Sequence, residues 1–197
     1  EDDDDFYGSP PPANGYDFFQ GPIVSSDDPL AIELGLPDSA KFLGKWRKGV
    51  SNLPMTAFTL YINGNAQYAD PAQGTAEGSI EFYNYMTVKI WNGEPFIDPN
   101  TTEEVDITVA GDPVAGTGWY EGAGWPGGPD PDDRRHLQAS GPFLFVPGDT
   151  QEVVIGIIHA VGTSALNSVT ELKRKDIAAQ IAYDLDFQLT PSPQAPT

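Results

Sequence analysis

The chain has 197 residues, no cysteine, and 29 acidic residues against 10 basic ones, which gives a formal net charge of -19. This charge repels nucleic acid and anionic lipid. The lack of cysteine excludes disulfides, thiolate zinc sites and cysteine nucleophiles. With 39% hydrophobic residues the chain can bury a core, and no apolar run approaches the ~18 residues that span a bilayer.

The first segment, residues 1–14, is acidic and proline-rich and contains EDDDD and SPPPANG. Carboxylate oxygens are the ligands that calcium prefers, so calcium is a candidate cofactor for Asp2, Asp3, Asp4 and Asp5. The run lacks the spaced Asp-x-Asp-x-Asp-Gly pattern of a loop that folds around the ion. A solvated linker is therefore the alternative interpretation of this segment.

Alternating apolar residues predict strands at residues 55–64, 104–111, 140–146 and 151–160. Pro147 and Gly148 supply a tight turn, so the last two strands are expected to form a hairpin. The 21 glycines and 19 prolines lie mostly between such runs and predict long loops. The predicted fold is mostly β, an immunoglobulin-like or jelly-roll-like sandwich with long Gly/Pro-rich loops and a C-terminal helix.

The C-terminal helix is predicted from Ser164 or Ser168 to about Phe187, because apolar residues recur there at helical spacing. Ser168 with Glu171 fits a capping box. The apolar face is expected to pack on the sheet through Val169, Ile177 and Ile181.

Residues 77–93 fit two patterns. Ile80, Phe82, Met86, Val88 and Ile90 alternate as they would in a strand, while a second set falls on one side of a helix: Ile80, Tyr83, Asn84, Thr87 and Trp91. Periodicity alone leaves both possibilities open.

Several motifs recur in an order that resembles a module of large surface proteins exported by the type 9 secretion pathway in Bacteroidota and related bacteria. They are GYDFFQGPIV (15–24), NLPMTAFTLYING (52–64), EFYNYM and WNGEPF (81–96), GDPVAGTGW (111–119), DRRHLQASGPFLFVPGDTQEVVIGIIHA (133–160) and LNSVTELKRKDIAAQIAYDLDF (166–187).

The resemblance implies an extracellular or cell-surface location and helix for EFYNYM, and it implies no catalytic activity. It places a β-sandwich module at residues 15–188, between the acidic segment and a proline-rich linker or tail at residues 189–197.

The stretch DPDDRRHLQASGPF, residues 130–143, is the first candidate site. In a catalytic interpretation Asp133 orients His136 as a general base, and an arginine holds an anionic intermediate. In the structural interpretation, Arg134 and Arg135 bind carboxylates and carbonyls and fix a glycine-rich loop, with Asp133 beside them. The second is favoured, because arginines are scarce partners for the many acids.

Three aromatic residues, Trp119, Tyr120 and Trp125, flank an acid-bearing loop and form the second candidate site. Exposed rings of this kind would bind a glycan or contact another subunit. Rings that cover the end of the sandwich or an interface are the favoured interpretation.

The sequence therefore predicts a non-enzymatic structural module that self-associates into a surface filament, sheath or similar assembly. The expected contacts are the extended segments at residues 5–12 and 189–196, since such segments add to sheet edges. An adhesive or carbohydrate-binding module is the alternative, and a secreted hydrolase is the least favoured. Neither nucleic-acid binding nor membrane insertion is expected.

Overall fold

The computed structural model describes residues 10–121, 124–125, 127–130 and 133–188. This part of the chain forms two compact units. Unit 1 comprises residues 20–153, and unit 2 comprises residues 10–19 together with residues 154–188. Unit 2 is therefore built from two stretches that lie far apart in the sequence.

The described residues contain the following strands and helices in chain order: β1 (Ala13–Gln20), β2 (Ile23–Ser25), α1 (Pro29–Glu33), β3 (Ser39–Phe42), β4 (Lys45–Lys48), β5 (Val50–Asn52), β6 (Ala57–Ile62), α2 (Ala76–Met86), β7 (Arg134–Ala139), β8 (Val154–Ala160) and α3 (Ala165–Asp184). The strands form small two-stranded sheets, β1 with β8, β2 with β5, β3 with β4 and β6 with β7. The predicted β-rich fold with a C-terminal helix is confirmed.

The main core of unit 1 lies beside the antiparallel pair β6 and β7, in which Ala57 is opposite Ala139 and Ile62 is opposite Arg134. Phe58 forms a further, parallel bridge to Ile107. The strand predicted at residues 55–64 is confirmed as β6. Its inward side chains join a largely aromatic core that contains Leu60, Ile62, Tyr85, Val88, Ile90, Phe96, Trp119 and Trp125.

Helix α2 confirms the helical interpretation of residues 81–86. It begins where the hydroxyl of Thr75 accepts a hydrogen bond from the Gly78 N–H at 2.9 Å. Tyr85 is fully buried, whereas Ile80 and Tyr83 are exposed by 64% and 57%. The helix therefore contributes one large aromatic side chain to the core.

A smaller cluster in unit 1 contains Val24, Ala31 and Leu53. It lies beside β2 and β5, which pair antiparallel, and beside the short helix α1. The side chain of Asp28 caps α1 by accepting the Leu30 N–H at 2.9 Å. This cluster positions β5, and β5 in turn supports the β3–β4 hairpin.

Unit 2 consists of β1, β8 and α3. The helix covers one face of the sheet: Gly15 of β1 lies against Leu172, since an added Cβ would be 3.2 Å from its side chain. Phe19 of β1 stacks on Tyr183 with centroids 5.2 Å apart. A Cβ at residue 156 would lie 2.5 Å from the Phe19 ring, so Gly156 is needed for this packing.

Two predicted strands are wrong. Residues 140–146 and 104–111 form no strand, although Glu104 and Ile107 each make an isolated bridge, to Ile97 and to Phe58. Gly141 has a φ of +125° and Pro142 lacks an N–H, so this segment cannot continue a ladder. The strand predicted at 151–160 is confirmed as β8, but it pairs with β1 and not with 140–146.

The predicted C-terminal helix is confirmed as α3, and of its two expected starts Ser164 is correct, but the capping box at Ser168 and the packing face through Ile177 and Ile181 are wrong. Ser164 is the N-cap, whereas Ser168 is buried and donates a hydrogen bond to the Pro11 carbonyl at 2.9 Å. Ile177 and Ile181 are exposed by 63% and 52%. A two-stranded sheet covers only a narrow stripe of a helix, and that stripe runs from Ser168 through Leu172 and Asp176 to Tyr183.

Candidate functional site

The two tryptophans predicted as a binding platform lie in the core of unit 1. Trp119 and Trp125 are exposed by only 3% and 8%, and their rings meet edge to face with centroids 5.6 Å apart. The Trp119 carbonyl accepts the Gly111 N–H at 2.6 Å, and a Cβ at residue 111 would clash with it. Neither ring therefore offers an open face to a glycan.

The two arginines of the DDRRH stretch form separate ion pairs. Arg134 contacts Glu121 at 2.5 Å and donates to the Asp130 carbonyl at 2.7 Å. Its guanidinium also lies 5.7 Å from the centre of the Trp125 ring. Arg135 pairs with Asp70. These contacts fit the structural role that the sequence suggests for both arginines.

Asp133 contributes through its backbone, since its carbonyl accepts the Asn63 N–H at 3.3 Å. This bond extends the pairing of β6 and β7 by one residue beyond Ile62 and Arg134. The corner between the glycine-rich loop and β7 is thus held by backbone and side-chain bonds together.

An open cleft of about 330 Å³ lies beside β6 and β7. Its apolar lining is Phe58, Leu60, Val109, Pro113 and the ring of Tyr120, and its polar lining is Glu121, Arg134, Arg135 and His136. The structure therefore brings Tyr120 together with the DDRRH residues, a grouping that their sequence positions did not indicate.

His136 lines the cleft with one face of its ring stacked on Phe58, centroids 5.5 Å apart. Burial against Phe58 lowers the pKa of His136, so the imidazole is neutral at pH 7. The residue as a whole is nevertheless exposed. The hydrogen bond and charge of Asp70 raise the pKa of Arg135. Both arginines of the cleft are paired to carboxylates, Arg134 to Glu121 and Arg135 to Asp70.

The predicted calcium ligands Asp2, Asp3, Asp4 and Asp5 lie outside the described residues. Among the residues that the structure does describe, no group of three or more histidine, aspartate or glutamate side chains is arranged to hold a metal ion. No helix in the same part of the chain is long and apolar enough to cross a membrane.

In unit 2, the sheet face opposite α3 is largely exposed and carries large apolar side chains beside polar ones. Asn14 and His159 are hydrogen-bonded on this side, and the alternation of the strands places Phe18, Ile155 and Ile157 beside them. Ile155 and Ile157 are exposed by 46% and 63%. We call Phe18, Ile155 and Ile157 the open sheet face.

The sequence reasoning missed a second exposed surface, the β3–β4 hairpin. Strand β4 reads KWRK, and all four of its residues are exposed. Trp46 is exposed by 70%. The available signal was compositional, since four of the 10 basic residues fall between Lys41 and Lys48.

The fold and these surfaces define a β-rich module with a C-terminal helix, an aromatic core and exposed large apolar side chains, among them those of the open sheet face and the β3–β4 hairpin. Comparison with known protein families, with characterised proteins and with solved structures finds no match to this chain.

Proposed function

We propose that this chain is a non-enzymatic, extracellular structural module that self-associates into a surface filament, sheath or similar assembly. The observation that carries the proposal is the open sheet face. Two-stranded sheets are marginal by themselves in water and are stabilised when a further layer or strand covers them. One face of the β1–β8 sheet has such a layer in α3, and the other presents Ile155 and Ile157 to solvent.

The occupant proposed for this face is a second copy of the chain. None of the three described residues that form this face is acidic, and the one acidic residue of β1, Asp17, interacts with Asp176 of α3 on the opposite side. In a chain of net charge -19, a surface without acids is where two copies approach with the least repulsion. Among the described residues, the outer edges of β1 and β8 also pair with no strand, so backbone pairing can add to the contact.

The contact is expected to be weak and to depend on concentration. Ile155 and Ile157 are 46% and 63% exposed, so their full burial contributes roughly 2–3 kcal/mol per copy, from about 1.5–3 kcal/mol for a whole side chain. A symmetric pair doubles this to roughly 4–6 kcal/mol, against an association cost of about 4–15 kcal/mol. A symmetric pair closes as a dimer, so growth into a filament needs strand pairing at the edges of the sheet as a second contact. Salt or calcium that screens or bridges the carboxylates would strengthen both contacts.

The extracellular location and the parent surface protein belong to this proposal, and the resemblance of residues 15–187 to type 9-secreted modules supports them. The sandwich architecture is proposed on the same basis, together with the antiparallel packing of β6 and β7 on an aromatic core. An adhesive role is the second candidate, and the observation in its favour is the exposed β3–β4 hairpin.

The test is sedimentation velocity at increasing protein and salt concentration, with negative-stain electron microscopy of the same samples. The wild-type chain should associate more strongly as salt increases. The double variant Ile155→Thr/Ile157→Thr keeps β-branched side chains but removes apolar surface, and it should sediment as a folded monomer.

Ile32→Thr is the matched control, because Ile32 is also exposed, by 65%, but lies in unit 1. This substitution should leave association unchanged. Wild-type chain that stays monomeric at high concentration and high salt would contradict the proposal. A double variant that associates as wild type does would show that the contact lies elsewhere.

A further inference from the structure

We propose that the outward face of the β3–β4 hairpin binds an anionic polysaccharide, one whose sugar rings carry carboxylate or sulfate groups. This inference names a ligand class for the second candidate function, and it rests on a different unit and different residues from the self-association proposed above.

The register of the hairpin separates two faces. Ala40 and Phe42 of β3 are buried, at 1% and 8% exposure, and face the protein. The guanidinium of Arg47 lies over the Phe42 ring, 5.0 Å from its centre, on that side. The alternate residues form the outward face, where Trp46 lies directly across from Lys41 and Lys48 follows two residues after Trp46.

The hairpin is held rigidly. Its two-residue turn, Leu43-Gly44, has φ values of +50° and +69°, as a type I′ turn requires. The Asn52 side chain accepts the Lys41 N–H at 3.0 Å and donates to the Lys41 carbonyl at 3.1 Å. Asp38 accepts the Gly49 N–H at 3.0 Å just after β4. Trp46 is therefore presented on a pre-organised ribbon, which lowers the entropy cost of binding.

The exposure of Trp46 and the local charge point to a ligand together. A tryptophan exposed by 70% is a large apolar surface for a single residue to leave in water. Lys45 and Lys48 on the same strand are also exposed. Four of the chain's 10 basic residues lie between Lys41 and Lys48, in a chain that carries 29 acids. This hairpin is thus a local positive site on a negative protein.

Anionic polysaccharides match this combination of groups. The C–H face of a sugar ring is apolar and can stack on the indole of Trp46, which buries aromatic surface. A carboxylate or sulfate on an adjoining sugar can then pair with the ammonium group of Lys48, which lies on the same face as Trp46. A peptide made only of aspartate and glutamate would use the ammonium group but has no ring to stack on the indole.

The net charge of -19 opposes the approach of any polyanion, so the contact must be local. At physiological ionic strength the screening length is ~8 Å, and distant carboxylates are largely screened. Two carboxylates bond to the backbone of the hairpin, Asp38 to the Gly49 N–H at 3.0 Å and Glu152 to the Leu43 N–H at 2.8 Å, and both keep their negative charge.

The experiment measures binding of the full chain to oligogalacturonate, to dextran sulfate and to neutral dextran by calorimetry at physiological ionic strength. Wild-type protein should bind one or both anionic glycans and not dextran. Trp46→Ala should weaken that binding by about tenfold or more, as loss of a stacked aromatic platform does. Lys48→Ala should weaken it by about threefold, the scale of one exposed charge pair.

Two control variants are matched to these changes. Leu144→Ala removes an apolar side chain that is 81% exposed, and Lys89→Ala removes one exposed positive charge elsewhere in unit 1. Both should bind as wild type does. The double variant Ile155→Thr/Ile157→Thr should also bind normally, so a failure of self-association would not be mistaken for a failure here.

Three results would overturn the inference. The first is no binding of either anionic glycan at millimolar concentration, and the second is unchanged affinity in Trp46→Ala. The third is that polyglutamate, or a second copy of the chain, binds the hairpin more tightly than the anionic glycans do, in a way that depends on the lysines and not on Trp46. That result would make the hairpin a site for acidic protein segments.

Discussion

Replacing Tyr85 with phenylalanine tests the core of unit 1 at one atom. Tyr85 is fully buried, and its hydroxyl donates to the Ala69 carbonyl at 2.8 Å. Tyr85→Phe keeps the ring and leaves this carbonyl without its donor. The expected cost at pH 8 is about 1–2 kcal/mol of unfolding free energy, as for other buried hydrogen bonds from which one partner is removed.

The cost should depend on pH in a direction that the structure determines. Burial, with smaller contributions from the carboxylates of Asp70 and Glu81, raises the pKa of Tyr85 well above its ordinary value. In the unfolded chain the phenol ionises near pH ~10, whereas in the folded chain it stays protonated. The stability it contributes is therefore complete below pH ~10 and is lost as pH rises toward the folded pKa.

Phenylalanine has no proton to lose, so wild type and variant should converge in alkali. By pH 11 the wild-type chain loses about 1.4 kcal/mol from this one group, and the difference between the two proteins should shrink by that amount. All other ionisable groups are common to both proteins and cancel in the comparison.

The assay is urea unfolding at pH 8, 9.5 and 11, followed by the fluorescence of Trp119 and Trp125, which lie in the same core as Tyr85. Tyr83→Phe is the control, because Tyr83 is on the same helix but is 57% exposed and should change stability by less than about 0.5 kcal/mol. A difference between wild type and Tyr85→Phe that stays constant from pH 8 to 11 would refute the reasoning.

Two further predictions concern unit 2. Ile181→Asp should lower the melting temperature only slightly, because Ile181 is 52% exposed. Tyr183→Ala should cost about 3–4 kcal/mol of unfolding free energy, since Tyr183 is buried and stacked on Phe19. Thermal unfolding checks both, and equal losses of stability would show that the buried stripe of α3 is misassigned. Burial, and then the charge of Asp176, raises the pKa of Asp17. Ionisation of Asp17 therefore destabilises the fold at pH 7, and Asp17→Asn should stabilise the protein there, with a gain that vanishes below about pH 4, where the carboxyl is protonated in both states. Urea unfolding at pH 7 and pH 3 checks this, and a gain that persists at pH 3 would contradict the proposed cause.

Local signals in the sequence determined several elements of this protein. The alternation of Phe58, Leu60 and Ile62 is sufficient to predict β6, and the helical spacing of residues 166–185 is sufficient to predict α3. Pro147-Gly148 predicts the turn in which the Asp149 N–H donates to the Val146 carbonyl at 3.0 Å. These features depend on dihedral preferences and periodicities within a few residues, so the sequence carries them directly.

The β3–β4 hairpin was missed, because its strands are short and β4 is mostly charged, so neither strand shows a sustained apolar alternation. Residues 77–93 fit both the alternation of a strand and the spacing of a helix, so the apolar pattern could not decide between them. There the helix was predicted by resemblance, and the buried Tyr85 shows which side of it meets the core.

Only the tertiary structure decided which surfaces became core and which stayed exposed. β8 was free to pair with any extended segment, and it pairs with β1, more than a hundred residues away in the sequence. Because this pairing forms a sheet of only two strands, it covers a narrow stripe of α3, in which Ser168 and Tyr183 are buried and Ile181 is not. In unit 1, Arg135 found its carboxylate in Asp70, 65 residues away. Such choices depend on the summed packing of segments distant in sequence, and no short window of residues contains that sum.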